Sequence, residues 1–222
     1  MGSITRSFAN NITTSGVLLP ASLNNNSIAN VTAYNAAIAT GGMKLLSTQT
    51  ASNSASLSFT TGIDSTYKEY QFWFIDIVGR TQRASLEFNL STDAGSNYNV
   101  AKTTTSFITY NNEAGNDTSL SYQTNFDLAQ GTGNQNLAFN IANTGQGSAS
   151  GSMSLFNPAS TTYVKHFIST GSQKWITSDL TEFYTGGSYS AGYGNTTSAV
   201  NAVRFQMSSG NMDGTILMYG IV

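Results

Sequence analysis

The sequence predicts an all-β protein, an antiparallel β-sandwich of the jelly-roll type preceded by an extended N-terminal arm. Two observations lead to this prediction. From Met43 onward, apolar residues alternate with polar ones in many short runs, and clusters of glycine and asparagine separate these runs. A period of two places alternate side chains on one face, so each run fits a half-buried strand. About ten to twelve such strands, divided by turns, are typical of a sandwich or jelly roll.

The arm is predicted over residues 1–42, which carry a single charged residue, Arg6, and apolar residues without a persistent period. A short helix is expected near residues 28–39, where Ile28, Val31 and Ile38 fall roughly on one face. An uncharged segment suits docking onto a partner, because its burial desolvates few ions. The residues expected to dock are Ile4, Phe8, Ile12, Val17, Leu18 and Leu19.

The β-sandwich is predicted over residues 43–222, and its strands follow one another as alternating runs. On the strand around residues 70–75, Gln71, Trp73 and Ile75 form the second face, and both faces are expected to be buried. The final run covers residues 215–222. The inward-facing sets expected along the chain are Ala55, Leu57 and Phe59; Tyr70, Phe72 and Phe74; Leu86, Phe88 and Leu90; Leu137, Phe139 and Ile141; Met153 and Leu155; Tyr163 and Phe167; and Val203, Phe205 and Met207.

Turns are predicted where glycine and asparagine cluster, at residues 92–97, 111–116, 143–147, 157–158 and 211–214. Both residue types tolerate the positive φ that hairpin turns require. Asp93, Asp117 and Asp213 lie in or beside these turns. Each is expected to stabilise its own turn, and a calcium ion bound by these oxygens is the less favoured alternative, because no EF-hand spacing is present.

The composition excludes several classes of function. Charged residues make up 9% of the chain, with a formal net charge of -2, whereas an average soluble domain has about 25%. Such a chain offers no basic surface for a nucleic-acid backbone. It has no cysteine for disulfides or for a cysteine-ligated metal, and no cofactor is expected. The longest apolar run, residues 72–78, contains Asp76 and is too short to span a bilayer, so no membrane insertion is expected.

Catalytic groups are sparse, and no enzymatic activity is expected. The one histidine, His166, lies in an alternating run and is expected to pack in the core or between strands. No G-x-S-x-G motif suggests a nucleophile to accompany it. Glycoside hydrolysis requires two carboxyl groups a fixed distance apart across a groove. The carboxylates considered for this role, Glu69, Glu87, Asp179 and Glu182, include no pair that the sequence singles out.

One glycine-rich segment, residues 174–194, carries several aromatic residues that can bind a ligand. Exposed Trp and Tyr side chains in loops stack on sugar rings, because they combine a flat apolar face with a polar edge. The candidates for glycan contact are Trp175, Tyr184, Tyr189 and Tyr193. The favoured alternative is that these rings cover one end of the sandwich or form a subunit contact.

Six segments of the β domain resemble a domain that recurs in virion structural proteins of tailed bacteriophages, especially marine phages. They are MKLLSTQTAS at residues 43–52, FTTGIDSTYKEY at 59–70, STDAGSNYNV at 91–100, LFNPASTT at 155–162, NTTSAVNAVRF at 195–205 and GTILMYG at 214–220. The start of the chain, MGSITRSF at residues 1–8 and NITTSG at 11–16, resembles the arm that precedes this domain. The resemblance covers nearly the whole chain, but its motifs are low in complexity and bring no known functional residues.

The resemblance implies a non-enzymatic virion protein on the exterior of the particle. The favoured role is a capsid decoration, cement or head-fibre protein that is attached through its arm to other virion proteins, either capsid or tail subunits. A tail-fibre module that binds host surface glycans is the alternative, and a polysaccharide-degrading enzyme is the third reading. Symmetric oligomers are the norm for such parts, and a homotrimer is expected.

Overall fold

The computed structural model describes residues 42–221, which belong to a compact unit beginning at Gly42. The predicted helix near residues 28–39 and the six docking residues of the arm, Ile4 to Leu19, lie outside the described residues. Within residues 42–221 the chain forms twelve β-strands, and every strand pair is antiparallel. The predicted all-β, antiparallel class is therefore confirmed.

Eight of the twelve strands overlap the predicted alternating runs, whereas the strands over Met43–Ser54, Lys102–Asn112, Thr118–Tyr122 and Phe183–Gly194 were not predicted. A single 3-10 turn, Thr124–Phe126, accompanies the strands within the described part of the chain. In chain order the strands are β1 (Met43–Ser54), β2 (Ser56–Phe59), β3 (Glu69–Gly79), β4 (Ala84–Ser91), β5 (Lys102–Asn112), β6 (Thr118–Tyr122), β7 (Gln135–Ile141), β8 (Ala149–Phe156), β9 (Lys165–Ile176), β10 (Phe183–Gly194), β11 (Ala202–Met207) and β12 (Met212–Ile221).

The twelve strands form one sheet that curls into a nearly closed barrel. Along the main path the order is β1-β12-β3-β8-β9-β7-β4-β11-β2. The two ends of this order, β1 and β2, contact each other. The side-chain amide nitrogen of Gln49 on β1 donates a hydrogen bond to the Ser58 carbonyl oxygen on β2, and these two atoms are 2.8 Å apart. A branch leaves β9 through β10 and β5 and ends at β6, which within residues 42–221 pairs only with β5. Among the described strands, β6 is therefore an edge of the sheet.

Phenylalanine rings fill the centre of the barrel. The Phe205 ring on β11 lies 5.2 Å from the Phe72 ring and 5.3 Å from the Phe74 ring, centroid to centroid. Phe59 and Phe88 pack against the same ring from β2 and β4. Burying each such side chain contributes roughly 1.5–3 kcal/mol to folding. The predicted inward-facing residues on β4, β7, β8 and β11 are all buried, as are Leu57 and Phe59.

Three parts of the predicted core are wrong. Trp73 and Ile75 on β3 are 38% and 40% exposed, because only one face of that strand meets the barrel interior. Tyr163 is 69% exposed, because strand β9 begins two residues later at Lys165. Ala55 is exposed in the break between β1 and β2. In each case the run of apolar residues is longer than the strand, or it includes residues on the face of the strand that is not buried.

Candidate functional site

The branch of the sheet turns one broad surface away from the barrel interior. On β5, the side chains of Ser106 and Ile108 point inward and are buried, whereas Thr105, Phe107 and Thr109 point outward and are exposed. We call the outward surface of β6, β5, β10, β9, β8 and β3 the outer face. The strand register places one row of side chains across all six strands: Tyr122, Phe107, Tyr189, Thr170, Ser152 and Trp73.

The part of this row on β6, β5 and β10 is aromatic: Tyr122, Phe107 and Tyr189. The rings of Phe107 and Tyr189 stack with centroids 4.6 Å apart and planes 20° apart. Phe107 is 38% exposed and its neighbour Tyr122 is 57% exposed, while the Tyr122 hydroxyl donates a hydrogen bond to the carboxylate of Asp127. We call Tyr122, Phe107 and Tyr189 the aromatic ridge. Stacking of Phe107 with Tyr189 and the hydrogen bond of Tyr122 restrict these side chains, so the ridge presents a largely aromatic surface.

An apolar groove of about 500 Å³ runs beside the aromatic ridge. The floor of the groove is the neighbouring row of paired residues: Thr105 on β5, Ala191 on β10 and Ile168 on β9. Thr105 and Ala191 are small, and Ile168 is exposed. Tyr193 and His166 form the wall, with ring centroids 5.9 Å apart in an edge-to-face contact. We call this feature the apolar groove. It lies about 7 Å from the ridge, since alternate residues of a strand are that far apart.

The outer face is almost free of charge. The outward residues of β5 from Thr103 to Thr109, and the residues paired with them on β10, β9 and β8, include no Asp, Glu, Lys or Arg. Glu69 lies at the corner of this area on β3, and Ser154 donates a hydrogen bond of 2.7 Å to its carboxylate. Hydroxyl groups and apolar side chains therefore make up this surface.

The four aromatic residues predicted to contact a glycan do not share a surface, and they lie on strands β9 and β10 rather than in loops. Trp175 and Tyr184 point to the inner side, where their ring centroids are 4.6 Å apart and Phe139 packs against Trp175. Tyr189 and Tyr193 are on the outer face. Trp175 and Tyr184 therefore pack against other rings of the fold.

His166 does not lie in the core. It is exposed on the outer face, and its one aromatic contact is the ring of Tyr193 on the neighbouring strand. It does share a face with Ile168, as the alternation indicates, but that face is the solvent-facing one, with Ile168 43% exposed. The expected packing in the core or between strands is therefore wrong.

A second depression, of about 610 Å³, lies at the end of the outer face away from Tyr193. Lys174 on β9 forms an ion pair of 3.0 Å with Glu113, and its ammonium group lies 4.3 Å from the Phe183 ring centroid. We call this depression the polar groove. Its lining consists mainly of amide and hydroxyl side chains, among them Asn111, Gln146, Ser148, Ser172 and Thr185.

The carboxylates considered for hydrolysis lie on two strands and one connection. Glu69 is on β3, Glu87 is on β4, and Asp179 and Glu182 are in the connection between β9 and β10. Burial raises the pKa of Glu87, whose carboxylate accepts a hydrogen bond of 3.2 Å from the Asn134 amide. Glu182 accepts a hydrogen bond of 3.0 Å from the Tyr184 hydroxyl. Glu69 and Glu87 thus have separate partners, whereas the Thr177 hydroxyl donates to Asp179 and accepts from the Glu182 backbone amide.

Two of the turn aspartates stabilise their surroundings in different ways. Asp93 accepts hydrogen bonds from the Asn97 amide at 2.7 Å and from the Ser91 hydroxyl at 2.7 Å, and these lower its pKa to about 2. Asp213 accepts a hydrogen bond from Arg80, which lowers the pKa of its carboxyl group. Among residues 42–221, no group of three His, Asp or Glu side chains is placed to hold a metal ion.

Two fully buried lysines were missed by the sequence reasoning. Lys102 on β5 and Lys165 on β9 flank Gly194, because each pairs with this residue in the register. The Lys102 ammonium group donates to the Asn89 side-chain carbonyl at 2.6 Å and to the Val100 carbonyl at 2.9 Å. Burial lowers the pKa of Lys102 to about 8 and also lowers that of Lys165. Lysine in an alternating run gives no signal that it points inward.

The surface features of the β domain are thus the aromatic ridge, the apolar groove and the polar groove, and all three lie on or beside the outer face. A helix suitable for crossing a membrane does not occur in the part of the chain that the structure describes. Comparison of the chain with protein-family models, with curated proteins and with solved structures gives no match.

Proposed function

We propose that this chain is a non-enzymatic structural protein of a bacteriophage virion. Its residues 1–42 attach it to capsid or tail subunits, and its β domain, a jelly-roll-like sandwich, projects from the exterior of the particle. The favoured role is capsid decoration, cement or head fibre, in a symmetric oligomer. The observation that carries the proposal is the position in the fold of the segments that resemble virion proteins.

These segments are far apart in sequence but bonded to one another in the structure. The Asn157 amide donates to the Lys68 carbonyl at 2.6 Å, which joins the segments at residues 155–162 and 59–70. The Val200 amide donates to the Pro158 carbonyl at 2.9 Å, and the Asn201 amide donates to the Ser91 carbonyl at 3.0 Å. Four segments are therefore linked by backbone hydrogen bonds at one end of the barrel.

The two remaining segments join the same cluster. Residues 43–52 lie in β1 and residues 214–220 in β12, and these strands pair with each other. Strand β12 in turn pairs with β3, where Gly220 lies opposite Tyr70. The resembling segments thus lie together in one structural unit.

Attachment through the arm is tested with particles of the phage that encodes the chain. Full-length protein should bind particles stripped of it, and a shortened chain that starts at Met43 should not. Counting copies per particle by quantitative mass spectrometry separates many copies on the capsid from few at the tail. Equal binding by both chains, or absence of the protein from purified particles, would refute the proposal.

The polar groove favours a second candidate function, the recognition of host surface glycans by a tail-fibre module. Amide and hydroxyl side chains donate and accept hydrogen bonds, as the hydroxyl groups of a sugar require. Because Trp175 faces inward, the residue to test is Gln146, which lines the groove. Saturable glycan binding that is lost in Gln146→Ala and kept in the outer-face control Gln71→Ala would support this candidate, and absence of saturable binding would exclude it.

A further inference from the structure

We propose that the outer face is the docking surface for a second copy of this chain, with the aromatic ridge of one copy seated in the apolar groove of the other. This inference is independent of the virion proposal, because it concerns the β domain alone. It rests on three properties of the surface: the ridge lies beside the groove, the face is almost free of charge, and the area is sufficient.

Shape provides the first argument. The ridge residues Phe107 and Tyr189 stand one outward row away from the groove floor at Thr105 and Ala191. A ridge next to a groove allows a copy related by a two-fold axis to place each ridge in the groove of the other. Both features are apolar, and Phe107 and Ile168 are 38% and 43% exposed in the single chain. Mutual insertion removes both side chains from water.

Charge provides the second argument. A charged surface repels its own copy, but the outward residues of β5, β10, β9 and β8 include no Asp, Glu, Lys or Arg between the rows of Thr103 and Thr109. A second copy is a partner that presents the same surface, neutral on these four strands, with Glu69 of β3 at one corner. The remaining side chains are largely Ser and Thr, for example Thr170 and Ser152. A hydroxyl group both donates and accepts hydrogen bonds, so identical surfaces satisfy each other.

Area provides the third argument. Neighbouring strands are about 4.8 Å apart and each residue advances about 3.3 Å. The five strands from β5 to β3, over the seven residues from the Thr103 row to the Thr109 row, therefore present about 550 Å². Two copies bury about 1,100 Å² together, which exceeds the roughly 1,000 Å² that a specific interface needs.

The test is the mass of the full chain in solution, measured by sedimentation velocity over a range of protein concentrations. The wild type should associate, and Phe107→Asp should weaken association at least about tenfold, because it places an unpaired charge in the interface. Leu180→Asp is the matched control: Leu180 is 53% exposed in the connection between β9 and β10, outside the outer face. It should associate like the wild type.

Two further measurements make the result decisive. Far-UV circular dichroism shows whether Phe107→Asp is folded, and Ile168→Asp repeats the test at the groove floor. A wild type that remains monomeric overturns the proposal, as does association that both variants leave unchanged, which would assign it to another surface. Binding of a glycan or of a different protein to this face, with the chain monomeric, would also overturn it.

Discussion

Replacing the buried Lys102 by methionine tests the electrostatics of the fold most directly. Methionine keeps the length of the side chain and removes the charge that the barrel encloses. The ammonium group of Lys102 is held by the Asn89 side chain and the Val100 carbonyl, two neutral acceptors. Such acceptors compensate only part of the cost of removing a charge from water. Protonated Lys102 is therefore a destabilising element that weakens as the pH rises.

The size of this effect follows from the pKa of Lys102, which falls from the ordinary lysine value of 10.5 to about 8 in the folded chain. Between these values the unfolded chain binds more protons than the folded chain, so the free energy of unfolding rises with pH. The difference amounts to about 3 kcal/mol in total, of which about 2 kcal/mol is gained between pH 8 and pH 10. In Lys102→Met this gain is absent.

The assay is urea unfolding at pH 7, 8, 9 and 10, followed by tryptophan fluorescence. The series stops at pH 10 because the pKa values of Tyr70 and Tyr184 are raised in the folded chain, so that stability falls again as the unfolded tyrosines ionise. The exposed Lys44 provides the control, and Lys44→Met should follow the wild-type profile. Parallel profiles for the wild type and Lys102→Met would refute the reasoning.

Three further outcomes are expected. Gly151→Ala should lower stability by about 2 kcal/mol or more, since the added Cβ would lie 2.7 Å from the Gly171 Cα; its partner Gly171→Ala, whose nearest contact is 3.6 Å, should cost under about 1 kcal/mol in the same urea titration. In an NMR titration the Asp93 carboxyl should have a midpoint near 2, which Asn97→Ala should raise; a midpoint at 3.8 would contradict the hydrogen bonds assigned to it. Trp175→Ala should destabilise the chain by about 3 kcal/mol, because the ring packs between other rings, and unchanged stability would contradict that packing.

The period-two pattern predicted the fold class because it depends on local sequence alone. Leu86, Phe88 and Leu90 alternate with polar residues, and the structure buries all three. The pattern fails where both faces of a strand carry large apolar residues: Trp73 gives the same signal as a buried residue, although it lies on the outer face. Burial there depends on which other strands cover the face, and pairs such as β3 with β12 are formed by residues far apart in the chain.

The candidate surfaces were less predictable than the fold. Alternation along β9 places His166 with Ile168, but it does not say whether that set points inward. The aromatic ridge combines Phe107 and Tyr189 from β5 and β10, and only the register brings their rings together. The buried Lys102 and Lys165 each bond to one acceptor from another part of the chain, the Asn89 side chain and the Thr196 carbonyl, and no residue-type pattern encodes that arrangement.

The pairing of the first strand with the last has a topological consequence. Met43 lies directly opposite Ile221 in the register of β1 and β12, so the two ends of the β domain leave the barrel side by side. A short linker could join these ends, and the chain could be opened in the connection between β9 and β10 without interrupting a strand. The domain is therefore suited to circular permutation. It is also suited to insertion into another protein, at a loop whose two ends are close together.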